Sequence, residues 1–426
     1  MTRVDRDTAQ RLDAHDELAA FRAEFHLPVR QDGSPAVYFC GHSLGLAPKS
    51  AAQILNEELA AWATLGVEGH FEAARPWLTY HERLAPGLAR LAGALESEVV
   101  AMNSLTANLH MMLTSFYRPT PQRSRILIEK SAFPSDRYAV ASQIAQRGLD
   151  PGTQLIEIAP RPGEVSLRNE DICTLIEREG RSIATVMLPG VQYLSGQCFD
   201  MASITQCAHA QGATVGFDLA HAIGNVPLQL HDWNTDFAVW CSYKYLNSGP
   251  GAIGGCFVHE RHAHSFDLPR FAGWWGHDKA SRFDMPEAFQ PLPGAEGWQV
   301  SNPSIFAAAP LLASLALFDA AGIQRLRAKS IALTGFLAGM LQQRLPHAVS
   351  ILTPASEAAR GCQLSLRLQR TAAEARAVHR DLSRRGYICD WREPDVIRVA
   401  PVPLYNTFIE ASEFVEALAA SLDEPT

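Results

Sequence analysis

The sequence predicts an α/β fold, a mostly parallel central sheet flanked by helices, with a small α+β C-terminal domain after it. Three observations carry this. Between about residues 95 and 260, short apolar runs alternate with helical stretches of about 11 to 15 residues. The runs lack in–out alternation, as strands covered on both faces do. Toward the end, QLSLRL and DVIRVAP bracket one helical stretch, AEARAVHRDLSRRG.

In chain order, residues 1–65 read as an N-terminal arm contributing to the small domain, two helical stretches flanking VYFCGHSLGLAP. EVVAMN then precedes the helical SLTANLHMMLTSFY, and RILIEK precedes PSDRYAVASQIAQRG. QLIEIAP leads toward EDICTLIEREG, and SIATVMLPG toward DMASITQCAHAQG. TVGFDLAH leads through a loop to FAVWCSYKYL, and GGCFVH is strand-like. Residues 303–345 form a long helical stretch. At 426 residues, one large and one smaller domain are expected, divided as 66–320 and 321–426.

Composition narrows the class. A hydrophobic fraction of 47% with 19% charged residues describes a compact, enzyme-like globule. A net charge of −8 gives no basic footprint for nucleic acid or an anionic membrane. No apolar run of about 18 residues suggests a membrane span, and MTRVDRDTAQRLDAHDEL lacks the apolar core of a signal peptide. Eight cysteines without a CxxC pair read as reduced, mostly buried thiols of a cytoplasmic protein.

The chain has five lysines, and Lys244 follows an apolar run and precedes a glycine-rich turn, CSYKYLNSGPG. A buried ammonium is costly without a partner. Asp218 of GFDLAH ends another apolar run, with His221 just after it. In an open α/β sheet, ligands collect at the carboxyl ends of strands. FPSD starts a helix with Ser135 near its N-cap, and Leu105 and Thr106 open another, so both offer anion-binding ends.

Pyridoxal 5′-phosphate needs all of these: helix N-termini for its phosphate, an Asp at the ring nitrogen and a lysine amine at the aldehyde. Plain readings exist for each piece alone. A lysine at a strand end can be solvated, an Asp there can form a turn, and Ser135 can simply cap. GPGAIGG precedes a strand, not a helix, which argues against a dinucleotide loop. HERHAHS is read as an exposed loop, not a metal site, since no Cys or carboxylate completes a ligand set nearby.

These motifs resemble the kynureninase family over nearly the whole length: FCGHSLGL, RPWL, NSLTANLH, AFPSD, GFDLAHAIGN, CSYKYLNSGPG, GWWGH, SNPSI and IRVAPVPLYNTF. The similarity looks closer to the eukaryotic-type enzymes. The resemblance implies the fold-type-I architecture of pyridoxal-phosphate-dependent transferases. It also implies hydrolysis of L-kynurenine or 3-hydroxy-L-kynurenine to an anthranilate and L-alanine, in tryptophan degradation. By the same resemblance Lys244 holds the cofactor, Asp218 faces its ring nitrogen and Phe133 stacks on the ring. Leu105, Thr106, Pro134, Ser135, Asp136, His221 and Tyr243 complete the shell, with Tyr243 an acid–base candidate or a phosphate ligand. Trp274 and Asn302 would come from the second subunit of a homodimer with shared sites. Arg398 would clamp the substrate α-carboxylate, Ser43 would lie at the substrate, and His70 with Asn302 would face the aryl ring. Two positions depart from the family: His42 replaces a frequent asparagine, and Pro189 a frequent hydroxyl residue. Rival readings are a cysteine desulfurase or aminotransferase of the same fold, and a non-catalytic protein that retains the cofactor.

Overall fold

The computed structural model describes residues 4–423. Strands β1 (Val99–Ala101), β2 (Arg125–Glu129), β3 (Leu155–Ile158), β4 (Ile183–Pro189), β5 (Thr214–Asp218), β6 (Phe237–Cys241) and β7 (Gly254–Val258) form one seven-stranded sheet. Their order is β1-β7-β6-β5-β4-β2-β3. Strands β2 to β6 run parallel, and β7 pairs antiparallel with both β1 and β6.

Both faces of this sheet are covered, which is why its strands read as unbroken apolar runs. Ile126 and Ile128 of β2 share a core with Leu109 and Met112 of α1 (Leu105–Phe116) and Val140 and Ile144 of α2 (Pro134–Gln146). Leu127 faces the other way. It joins Ile172 and Ile176 of α3 (Asn169–Glu179) and Ile204 of α4 (Met201–Ala210).

A second, antiparallel sheet follows. Strands β8 (Val349–Ile351), β9 (Leu364–Leu368), β10 (Asp390–Arg392) and β11 (Val396–Val399) take the order β10-β11-β9-β8. Val37 and Phe39 from the N-terminal arm pack into the core beneath it, and Val37–Tyr38 pairs in parallel with Tyr387–Ile388. The long helical stretch divides at Gly322 (φ +77°) into α5 (Ile305–Ala321) and α6 (Ile323–Arg344), bent by 79°. Leu311, Leu315 and Phe318 of α5 enter the large core, whereas Leu333, Phe336 and Leu337 of α6 enter the small one. Among the described residues no single helix is long and apolar enough to cross a membrane.

The two cores are stitched together at residues 193–195. Thr353 Oγ1 donates to the Ser195 carbonyl at 2.6 Å, and Gln363 Nε2 to the Tyr193 and Leu194 carbonyls at 3.1 and 3.2 Å. Ser365 Oγ also donates to the Leu194 carbonyl.

One expectation is corrected. Cys173 on α3 and Cys207 on α4 are joined by a disulfide, not held as free thiols. The two helices lie side by side on one face of the sheet, which brings their Cα atoms to 5.7 Å. The other six cysteines are free, four of them buried.

Candidate active site

Asp218 is the last residue of β5, and its Oδ1 accepts the Ala220 N–H at 2.7 Å. Lys244 lies three residues beyond the end of β6, in a turn and not on the strand end itself. That turn is closed by the Asn247 N–H on the Lys244 carbonyl at 2.9 Å. The N-terminal arm braces it: the Gly45 N–H donates to the Tyr243 carbonyl at 2.8 Å. A Cβ on Gly45 would collide with the Lys244 carbonyl, so only glycine admits this approach.

Lys244 Nζ lies 3.1 Å from His221 Nε2. Burial, then the Lys244 and Arg398 charges, hold the His221 ring well below its ordinary basicity, so the neutral ring accepts from the ammonium. Two buried carboxyls complete the group. Burial and the nearby Asp218 raise Asp136, in the first turn of α2, well above the usual carboxylate range. Burial raises Asp218 as well, and the Lys244 charge partly offsets this.

Two helix N-termini meet on the other side. Phe133 is the N-cap of α2, because Pro134 fixes the first helical residue. Ser135 therefore sits in the first turn, where its hydroxyl lies 2.7 Å from that of Thr106 in the first turn of α1. Neither helix has a side-chain N-cap bond, which leaves first-turn N–H groups for an anion.

One cavity is lined by Leu105, Thr106, Phe133, Ser135, Asp136, Asp218, His221, Tyr243 and Lys244, all anticipated from sequence, and by Pro189. Sequence reasoning missed Glu129, Val191, Tyr193 and Ala220, which also line it. Sheet register delivers Glu129, the last residue of β2, and Tyr193 meets Phe133 edge-on at 5.3 Å between ring centroids. Lys244 Nζ stands 5.9 Å from the centroids of both Phe133 and Tyr243.

Other anticipated residues do not line this cavity. Pro134 begins α2 behind it. Trp274 is exposed, and its Nε1 donates to Oδ1 of the exposed Asn302 at 3.0 Å. His70 is half-buried, with Nδ1 at 3.0 Å from the Val67 carbonyl and its ring edge-on to Trp77. Ser43 is half-buried in the arm, its N–H on the Cys40 carbonyl at 2.8 Å. Arg398 is buried behind Tyr193, and its Nη1 donates to that residue's carbonyl at 2.6 Å. His42 is fully buried, and neither ring nitrogen has a hydrogen-bond partner.

The His-rich loop also differs from expectation. His259 comes beside Glu98 and His231, so a carboxylate from elsewhere in the chain does complete a three-residue cluster. Glu98 accepts the Leu95 and Glu260 N–H groups and His231 Nδ1, while His259 Nδ1 accepts the Arg261 N–H. The cluster is a set of internal hydrogen bonds that anchors the loop.

The cavity residues fit pyridoxal 5′-phosphate. Two raised carboxyls beside an unpartnered Asp136 Oδ1 and His221 Nδ1 suit a cationic ring nitrogen and a ring hydroxyl. The paired hydroxyls and helix ends suit the phosphate.

Comparison with known proteins agrees with this geometry. Residues 326–418 match the family described as "Kynureninase C-terminal domain". Residues 78–229 match the DegT/DnrJ/EryC1/StrS aminotransferase family. Among solved structures, a C-DES mutant with glycine covalently linked to its PLP cofactor superposes with a TM-score of 0.75 at 18% identity, covering 90% of this chain and 96% of that one. The cysteine desulfurase CsdA of Escherichia coli superposes with a TM-score of 0.74 at 19% identity, over 96% and 98%. Those likenesses show the fold. The sequence relatives are much nearer: a kynureninase of Koribacter versatilis is 57% identical over 97% of this chain and 96% of its own length. One of Myxococcus xanthus is also 57% identical, over 96% of each. Identity at this level along the whole length, with the lysine and carboxyl pair in one cavity, places the chain in the kynureninase family.

Proposed function

We propose that this chain hydrolyses the Cβ–Cγ bond of L-kynurenine, 3-hydroxy-L-kynurenine or both, releasing an anthranilate and L-alanine. The observation that carries the reading is the Lys244 amine, the Asp136–Asp218 pair and the Thr106–Ser135 hydroxyls around one cavity of a kynureninase-family chain. When bound, pyridoxal 5′-phosphate supplies an electron-poor ring that takes up electron density from the substrate's α-carbon.

The chain's own groups have separable tasks. Lys244 would hold the cofactor and would move the proton at the substrate α-carbon. The neutral His221 ring, 3.1 Å away, accepts a hydrogen bond from that amine and keeps it directed into the cavity. Asp218, with Asp136 beside it, would face the ring nitrogen and keep it protonated, and Phe133 would lie against the ring. Burial raises the Tyr243 hydroxyl above its ordinary value, so it stays protonated and is suited to donate to the γ-carbonyl or the departing β-carbon. Arg398 binds the α-carboxylate, and water adds at the γ-carbonyl.

Trp274 and Asn302 point to a homodimer. Both are exposed in this chain and outside its own cavity, as residues that complete a partner's site would be. His70 and Ser43 belong to the substrate side of this assembled site in the same reading. Residues 66–320, the C-terminal 321–426 and the arm 1–65 are read as a large and a small domain, the arm joining the latter. A cytoplasmic place in tryptophan degradation, upstream of NAD synthesis where the 3-hydroxy product forms, belongs to the same reading.

The desulfurase alternative requires an accessible reactive thiol. Among the described residues Cys362 is 1% exposed and burial pushes its thiol up to about 12; the Cys40 thiol is likewise raised to about 12. Fluorescent anthranilate formed from kynurenine, with a cofactor absorbance fixed by borohydride on the Lys244 peptide, is the expected result. Sulfide release from cysteine with no anthranilate would overturn the reading. Lys244→Ala should abolish both the fixed label and turnover, the latter by on the order of 10²–10⁴-fold or more.

A further inference from the structure

Asp390 on β10 and Arg398 on β11 are direct cross-strand partners, and their side chains meet. Arg398 Nε lies 2.9 Å and Nη2 2.8 Å from the same oxygen, Asp390 Oδ1. Arg398 Nη1 donates to the Tyr193 carbonyl at 2.6 Å. A guanidinium has five N–H donors. Nε and Nη1 make hydrogen bonds and Nη2 an ion-pair contact, so N–H donors on both terminal nitrogens remain uncommitted.

The carboxylate of Asp390 thus takes the side edge of the guanidinium, formed by Nε and Nη2. It does not close off the terminal nitrogens that a second carboxylate can engage. Arg392 completes the group, with Nε at 2.9 Å from Asp390 Oδ1. Two arginines against one aspartate leave one net positive charge, and one further carboxylate would neutralise it. The site is sheltered: the Arg398 side chain is 1% exposed and that of Asp390 14%. In such surroundings an arginine held on one edge keeps a single orientation, whereas an unpaired one would turn toward whichever acceptor is nearest.

We infer that Asp390 is a positioning residue for substrate: it fixes the side edge of Arg398 so that the remaining N–H donors are presented to the substrate α-carboxylate. The inference rests on the reading of Arg398 as the carboxylate clamp. Asp390 touches neither substrate nor cofactor in this arrangement and acts through Arg398.

The test uses the cofactor-loaded enzyme and two competitive inhibitors. One is the aryl oxobutanoate that keeps the substrate's carboxylate but lacks its amine. The other is the matching aryl ethyl ketone, which lacks both. Asp390→Asn should raise KM for kynurenine and Ki for the oxobutanoate by about tenfold or more, with the ketone's Ki and kcat held within about threefold. A merely structural role would move both inhibitors together. Arg398→Gln should show the same selective loss. If Arg398→Gln leaves the two inhibitors as well discriminated as before, the clamp reading falls and the inference with it. If Arg398→Gln loses the discrimination but Asp390→Asn keeps it, only the role of Asp390 is overturned. Should Asp390→Asn fail to fold, Asp390→Glu, which pushes the guanidinium by one methylene, carries the same expectation, and an unchanged KM in it overturns the role equally.

Discussion

Thr106 Oγ1 and Ser135 Oγ lie 2.7 Å apart although they belong to the first turns of two different helices. The sheet makes this meeting possible. Strands β1 and β2 end on the same side, and each hands the chain to a helix whose N-terminus turns toward the cavity. Two hydroxyls in contact, flanked by uncapped N–H groups, would in the proposed reading hold the cofactor phosphate. Each such hydroxyl-to-phosphate bond would be charge-assisted and contribute about 1.5–3 kcal/mol. Thr106→Val and Ser135→Ala should therefore each weaken cofactor binding by about 10- to 100-fold. Titration of cofactor-free protein, followed by the new absorbance, measures this; unchanged affinity in both would remove the cradle from the phosphate.

Glu129 makes the stability of the cofactor-free protein depend on pH. Burial raises its carboxyl from 4.5 to about 7, with Gln192 opposing. An acid with a higher pKa folded than unfolded binds more protons in the folded state. Its stabilisation is complete below pH 4.5 and is lost as pH rises to about 7. The span corresponds to roughly 3 kcal/mol at most. Glu129→Gln should flatten the decline in denaturant midpoint across that window. Asp136 shifts in the same direction, so Asp136→Asn should flatten it further.

Tyr243 separates chemistry from binding. Burial raises its hydroxyl, so it stays protonated at neutral pH, and in the proposed reading it would donate a proton and not act as a base. Tyr243→Phe should lower kcat by on the order of 10²-fold while cofactor affinity stays near wild type. The reverse pattern, weak cofactor with normal turnover at saturation, would assign the hydroxyl to the phosphate.

The proposed shared-site homodimer predicts complementation. Lys244→Ala and the Trp274→Ala/Asn302→Ala double variant should each be nearly inactive. Mixed at equal amounts, half the dimers are hybrids with one intact site of two, so activity should recover to about a quarter of wild type. No recovery after demonstrated subunit exchange would place all the needed groups on one chain.

What could be read from the amino-acid string follows from where its information is local. The strands of the large sheet declare themselves because both faces are buried, and Asp218 and Lys244 stand out as charges at the ends of such runs. The start of α2 near Ser135 is legible because Pro134 sets the first helical turn. Glu129 and Tyr193 escaped notice because they reach the cavity only through strand order and register. Asp390 sits in DWREP, a stretch with no apolar pattern; its pairing with Arg398 exists only once two short strands align. The Cys173–Cys207 link likewise depends on which helices share a face, over a separation of 34 residues.

Residues 193–195 meet the small sheet through their carbonyl oxygens, which accept from Thr353, Gln363, Ser365 and Arg398. In the proposed reading, the span between the Arg398 guanidinium on the small sheet and the Lys244 amine, in the turn after β6, would act as a ruler for the amino-acid end of a ligand. Main-chain atoms hold that ruler, so evolution can exchange the side chain of Leu194 without altering the length it measures.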